Sequence, residues 1–189
     1  MAEFFTSDTH YGHANIIKYS NRPYKSVEEM NEALIANYNS RVKDTDTCYH
    51  LGDVAFLPSG EIKQIWERLN GDKVLILGNH DSKENFVGLP RTKVFQYLEI
   101  RVSDPTAPNG YNGRQHIILL HYSMRVWNKS HRGTWQLYGH SHGTLPDDPN
   151  LLSMDVGVDP QKYFPISYDE VKAHMAKKTW KALDHHGRD

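Results

Sequence analysis

Residues 73–81 read Lys73-Val74-Leu75-Ile76-Leu77-Gly78-Asn79-His80-Asp81: four branched apolar side chains in a row, a glycine, then an amide, an imidazole and a carboxylate. A short uninterrupted apolar run closed by glycine is the pattern of a strand buried on both faces, because a half-exposed strand alternates with period two. The polar triplet falls where that strand runs out into a loop. The same arrangement recurs along the chain. Residues 4–6 run into Asp8-Thr9-His10, 47–51 into Gly52-Asp53, 116–120 into His121, and 135–138 into Gly139-His140-Ser141-His142. Residues 94–102 and 152–156 are weaker strand candidates.

Helical patterns lie between these runs. Ser26 with Glu29 is a capping-box signature opening a helix through Met30, Leu34, Ile35, Tyr38 and Val42. Ser59 precedes Ile62, Ile65, Trp66 and Leu69, with Gly71 as a stop, and Ser167 with Glu170 opens a last helix carrying Val171 and Met175. Strands interleaved with helices make an α/β domain. Residues 103–114, with Pro105, Pro108, Gly110 and Gly113, read as a loop or wide hairpin within it. Residues 1–180 are expected to form one domain and 181–189, with His185 and His186, a frayed polar tail.

Bulk composition narrows the function classes. Lys+Arg number 22 against 23 Asp+Glu, so the chain lacks the broad basic face that long duplex DNA requires. The single cysteine, Cys48, can form neither an internal disulfide nor a thiolate metal cage, and its neighbours make it a core strand thiol. No basic segment followed by an apolar stretch opens the sequence, and no apolar run approaches a membrane span, so the cytoplasm is the expected compartment and no membrane partner is expected. Twelve histidines are out of proportion. Imidazole is the commonest transition-metal ligand, so the excess asks for a metal site.

Donors at equivalent strand ends converge in α/β sheets, where ligands gather outside the carboxyl ends of strands. Carboxylate and imidazole without thiolate suit borderline divalent ions, with manganese first and iron, zinc, cobalt or nickel as alternatives, and disfavour calcium and magnesium. Asp8-x-His10 and His140-x-His142 on extended segments would each point both side chains the same way. Seven donors exceed the four of a structural zinc, which favours two ions sharing a carboxylate. Gly52, Gly78 and Gly139 are expected to let the backbone turn sharply into each loop.

The ordered set Asp-x-His, Gly-Asp, Gly-Asn-His-Asp, His and Gly-His-x-His, over about residues 6 to 143, resembles the calcineurin-like metallophosphoesterases. The resemblance implies a sandwich of two mixed sheets flanked by helices. It assigns one metal to Asp8, His10, Asp53 and His142, with Asp53 bridging to a second metal completed by Asn79, His121 and His140. It also implies direct attack on phosphorus by a hydroxide held between the ions, without a phospho-enzyme. His80 matches the family histidine that steadies the phosphoryl group or protonates the leaving oxygen, with Asp81 as its orienting partner.

The stretch Ser7-Asp8-Thr9-His10-Tyr11-Gly12-His13-Ala14-Asn15-Ile16-Ile17, with Asn21-Arg22-Pro23, is similar to a small bacterial and phage branch of that superfamily. His13 and Arg22 are then candidate phosphate contacts, against the plainer role of fixing the loop. Arg125, Lys129, His131 and Arg132 follow His121 closely and make a candidate anion grip, or a solvated basic loop. Trp127 and Trp135 are read as core in preference to a base-stacking platform. Asp155 and Asp159 around Gly157 are candidates to support ligand imidazoles from behind, against the plainer role of surface capping.

The reading is a phosphodiesterase acting on a small phosphorylated, nucleotide-like ester, with short single-stranded nucleic acid also admitted. A phosphomonoesterase or protein phosphatase is the alternative. Serine/threonine protein phosphatases extend Gly-Asp into Asp-Arg-Gly, whereas Gly52-Asp53-Val54-Ala55-Phe56 lacks that arginine. A catalytically silent scaffold is the third reading, and such members lose ligands that are all intact here.

Overall fold

Phe4 and Phe5 are neighbours on β1 (Glu3–Thr6), yet they belong to different cores, because successive strand side chains point to opposite faces. Phe5 joins Val74 and Ile76 of β3 (Asp72–Ile76) in the core that includes the second sheet, and Phe4 joins Cys48 of β2 (Thr47–His50) and Leu75 in the core under the helices. That is why these runs are apolar without alternation: their sheet is covered on both sides. The computed structural model describes residues 1–107 and 112–183; Pro108 and Gly110 of the expected loop, and His185 and His186 of the expected tail, lie outside the described residues.

The chain is a single α/β domain of two mixed sheets flanked by four helices. The first sheet has the order β4-β3-β2-β1-β9, with β4 (Thr92–Phe95) and β9 (Ile166–Ser167) at its edges; β1 to β4 run parallel and β9 antiparallel to β1. The second has the order β5 (Leu98–Ser103), β6 (Arg114–Leu119), β7 (Trp135–Tyr138), β8 (Ser153–Asp155), antiparallel between β5 and β6 and parallel thereafter. Residues 94–102, expected as one strand, are two strands in different sheets. The chain breaks at Gln96-Tyr97 and crosses over, a change of partner that continuous β-favouring residues conceal.

Helix α2 (Val27–Arg41) buries Met30, Leu34, Ile35 and Tyr38 against the first sheet, and α3 (Ser59–Glu67) adds Ile62 and Trp66. Burying each such side chain stabilises the fold by about 1.5–3 kcal/mol. Ser26 caps α2 as expected, accepting from Glu29 N–H, whereas Pro58 and not Ser59 precedes α3. The last helix, α4 (Tyr168–Met175), has the full reciprocal capping box of Ser167 and Glu170. A short helix α1 (Ala14–Tyr19) was not legible as such, and it shapes the mouth of the site. Cys48, Trp127 and Trp135 are core residues, buried to 1%, 5% and 1% exposure, which removes any stacking role for the two indoles. Among the described residues no helix is long and apolar enough to cross a membrane.

Candidate metal centre

Every expected ligand lies just beyond the carboxyl end of a parallel strand: Asp8 and His10 after β1, Asp53 after β2, Asn79 after β3, His121 after β6, His140 and His142 after β7. The two sheets bring these ends together. The ligand atoms of Asp8, His10 and His142 lie within 4.8 Å of one another, and those of Asp53, His121 and His140 form a second such group. Asp53 Oδ2 stands between the groups, 3.8 Å from His10 Nε2 and 3.5 Å from His121 Nε2. Asn79 Oδ1 is 3.0 Å from His121 Nε2, which places the amide on the second group.

Neither Asp8 nor His10 is extended, contrary to the expectation for Asp-x-His. Asp8, His10, Asp53, His140 and His142 all have positive φ, between 48° and 66°. Left-handed backbone at a non-glycine residue costs on the order of 1–3 kcal/mol. Five instances among seven expected ligands concentrate strain where the surrounding contacts must hold it. Asp8 and His10 still face the same way, with Asp8 Oδ1 4.0 Å from His10 Nε2, while Thr9 turns its hydroxyl inward to Val54 O at 2.9 Å. The glycines divide by role. Gly52 needs both its φ of 96° and the room beside Gly78 and His121, whereas Gly78 and Gly139 only leave room: a Cβ on Gly78 would strike Asp53 and one on Gly139 would strike Ser7 and Asp8.

Groups behind the ligands set their orientation. His121 Nδ1–H donates to Leu51 O at 2.6 Å, which leaves Nε2 as the free lone pair. His142 Nδ1 meets Asp159 Oδ2 at 2.7 Å and presents Nε2 to Asp8 Oδ1 at 3.9 Å. The expectation for Asp159 thus holds. Asp155 supports the loops instead, accepting from Gly143 N–H and Gly157 N–H. His50 is a supporting residue that the sequence reading missed. Gly52 N–H donates to its Nδ1, so Nε2 carries the proton to Thr9 Oγ1 at 3.0 Å, tying the two loops that carry Asp8 and Asp53. Nothing in the sequence distinguishes this buried histidine from a ligand.

Arg22 does not reach the mouth. Its five N–H groups are used inside, on Asp159 Oδ1 and Oδ2, Asp8 O, Thr9 O and Met30 Sδ, and its side chain is 0% exposed. It fixes the loop and cannot grip a substrate phosphate without abandoning those partners. Asp81 likewise accepts from the backbone N–H groups of Asp53, Val54 and Gly78, so it pins the Asp53 loop to the Asn79 loop in place of orienting the His80 ring. Arg125 is exposed and does not line the depression over the ligands. That depression, about 610 Å³, is walled by His13, Tyr19, Phe56, His80, His140 and His142. His80 Nε2 stands 4.0 Å from Asp53 Oδ2, and His13 Nδ1 is 3.3 Å from His10 Nδ1. Phe56 packs on the rings of His10, His13 and His80 while staying 37% exposed; the sequence offered no signal for it beyond its place three residues after Asp53.

The electrostatics suit a bound cation. Burial pushes the Asp8 carboxyl up to about 7 despite the nearby histidines, and burial with the neighbouring His142 holds His10 down to about 3. Asp8 Oδ1 and His10 Nε2 are buried with no hydrogen-bond partner. Buried polar atoms are almost always partnered. A divalent ion held by these residues would supply a partner to both and the charge that lets Asp8 ionise, so the donor set fits metal.

The chain is similar to the uncharacterized protein MJ1445 of Methanocaldococcus jannaschii, 36% identical over 174 residues, which cover 88% of this chain and 86% of that one. It is also similar to the gene 66 protein of Mycobacterium phage L5, 38% identical over 200 residues, covering 89% of this chain and 91% of that one. Among solved structures, a protein of unknown function from Aquifex aeolicus, AQ665, superposes with a TM-score of 0.66 at 24% identity over 92% of this chain and 98% of its own. That likeness shows the fold. A conserved protein of Streptococcus pneumoniae described as a predicted phosphoesterase aligns at a TM-score of 0.40 and 16% identity, over 82% of this chain and 70% of that one, too loosely to carry an argument. No family model matches the chain.

Proposed function

The chain belongs to the family of MJ1445 and the phage L5 gene 66 protein, and we propose that it is a metal-dependent phosphoric ester hydrolase of the calcineurin-like kind, acting on a small phosphodiester. The observation that carries the reading is the pair of ligand groups meeting at Asp53 Oδ2, with Asp8 Oδ1 and His10 Nε2 buried and unpartnered. Asp8, His10, Asp53 and His142 would hold one ion, and Asp53, Asn79, His121 and His140 the other. Two such ions, when bound, would activate water and neutralise charge on phosphoryl oxygens, and manganese is the first choice for both.

The remaining work falls to the chain itself. Asp159 and Leu51 O keep the His142 and His121 rings in the tautomer that offers Nε2. Asp81 holds the loops of Asp53 and Asn79 in register. His80, 44% exposed at the mouth, is placed to give a proton to the departing oxygen, with His13 at hand for a phosphoryl oxygen. Phe56 and Tyr19 give the wall an apolar side suited to an ester with a planar organic group.

The test combines elemental analysis of bound metal with hydrolysis of bis(p-nitrophenyl) phosphate and p-nitrophenyl phosphate in added manganese. Asp53→Asn is expected to abolish turnover and weaken loading of both ions, and His80→Ala to lower kcat at least about a hundredfold with metal retained. Absence of hydrolysis with manganese, iron, zinc, cobalt and nickel alike would refute the enzyme reading in favour of a scaffold. Preference for the monoester would overturn the diester.

A further inference from the structure

Of the basic residues in the loop after His121, Lys129 lines a hollow away from the candidate metal centre. Arg101 and His116 face each other across β5 and β6, and Arg114 faces Ser103 two pairs further on, so its side chain returns to the same face. Directly opposed residues share a face in an antiparallel pair, so Arg101, His116 and Arg114 rise from one side of the sheet. The loop 122–132 then crosses that side. Trp127 anchors it, buried, with Nε1–H donating to Thr134 O at 2.8 Å, and Asn128 Nδ2 reaches both carboxylate oxygens of Glu99 at 3.1 Å. Lys129 follows in a left-handed conformation, φ 59°, where the loop tightens into a short 3-10 turn (Ser130–Arg132). The result is a hollow of about 360 Å³ lined by Arg101, Asn112, Arg114, His116 and Lys129.

We propose that this hollow is a second anion site, built for a ligand carrying two or more phosphate groups and separate from the candidate metal centre. Three permanent cations and an imidazole meet there in a chain whose overall charge is −1. Glu99, the acid nearest along β5, is already engaged by Asn128 and by Tyr97 OH. Among the described residues no ion pair involves Arg101, Arg114 or Lys129. The His116 imidazole is held below its ordinary pKa first by burial and then by the Arg101 and Lys129 charges, which registers their closeness. Like charges brought together in a concave surface favour a polyanion, and arginine forks suit phosphate oxygens. Position makes the site distinct: His116 precedes His121 by five residues, roughly 16 Å along an extended strand, at the opposite end of β6 from the metal ligands.

The experiment titrates the full chain, with divalent ions chelated so that the metal ligands hold no phosphate through an ion. The probes are inorganic tripolyphosphate, followed by calorimetry, and a fluorescent short single-stranded RNA, followed by anisotropy. Binding of either is expected, weakening as salt rises. Arg101→Glu with Arg114→Glu is expected to lower affinity at least about tenfold, because each reversal turns attraction into repulsion. Metal content and hydrolysis of a small diester stay at wild-type levels. Arg101→Gln, a milder change on an exposed strand position, is expected to weaken binding in the same direction should the double variant fold poorly. Binding of RNA in preference to tripolyphosphate assigns the phosphates to a nucleic-acid backbone, and the reverse assigns them to a small polyphosphate; both support the site. Absence of binding by both probes, or unchanged binding in the charge-altered variants, would overturn it.

Discussion

Replacing Asp159 with alanine removes the carboxylate that joins Arg22 to His142. Asp159 meets Arg22 Nε and Nη2 at 2.9 Å each and His142 Nδ1 at 2.7 Å. Without it, a guanidinium that is fully enclosed keeps only the carbonyls of Asp8 and Thr9 and the Met30 sulfur. Stripping one partner from a buried ion pair costs about 3–5 kcal/mol, mostly the penalty of the charge left behind. With an m-value of about 2–3 kcal/mol/M, the urea midpoint of the metal-free protein should fall by about 1–2.5 M. The His142 ring also loses the acceptor that holds its tautomer, so the group of Asp8, His10 and His142 should bind metal about 10–100-fold more weakly. The group of Asp53, His121 and His140 should keep its affinity, since Leu51 O orients His121 independently. Urea denaturation followed by fluorescence, with calorimetric metal titration, reads both effects. A stability loss below about 1 kcal/mol, the range of a solvent-screened pair, or equal weakening at both metal positions, would refute the reasoning.

Gly139→Ala places a Cβ against Ser7 and Asp8, so overpacking should cost about 1–3 kcal/mol and lower metal content, measured on purified protein. Excess divalent ion should stabilise the wild-type chain by about 2.7 kcal/mol per site at a hundred times Kd, seen as a rise in Tm, while Asp8→Asn should remove most of the contribution from its own group. Asp104 makes the pH prediction. Burial would raise its pKa, but Lys172 Nζ at 2.6 Å, Tyr168 OH at 2.7 Å and Thr106 hold it well below the usual carboxylate range. A depressed folded pKa contributes stability that is full above the unfolded value near 4 and is lost as pH falls through the folded value. Asp104→Asn should therefore be less stable at neutral pH by about 1–2 kcal/mol, and its denaturation midpoint should fall less steeply below pH 4 than that of the wild type.

The ligand positions were legible in the sequence because of a local coincidence. An apolar run with a donor at its end, such as residues 73–81, specifies both a buried parallel strand and the place where its loop emerges. Repeated at residues 8, 53, 121 and 140, it predicts convergence without knowledge of strand order. The runs of β1, β2, β3, β6 and β7, the capping serines Ser26 and Ser167, and the core positions of Cys48, Trp127 and Trp135 follow from the same short-range patterns.

The rest depended on distances that no local pattern encodes. Arg22 and Asp159 are 137 residues apart, and only their meeting behind His142 turns a candidate phosphate contact into a buried support. Asp81 lies beside His80 in sequence but spends its carboxylate on the backbone of Val54 and Asp53, 27 and 28 residues away. The turn of Asp8 and His10 into left-handed backbone is a tertiary effect too, since an isolated Asp-Thr-His segment would avoid that cost. Sequence offers Lys129, eight residues after His121, as part of a candidate anion grip or a solvated basic loop, and only the fold brings it beside Arg101 and Arg114 at the far end of β6. Sequence alone therefore determined which residue types stand at strand ends and that they suit metal. Tertiary structure decided which of them share an ion-sized space and which charges turn inward, because close packing and burial of charge act between segments far apart in the chain.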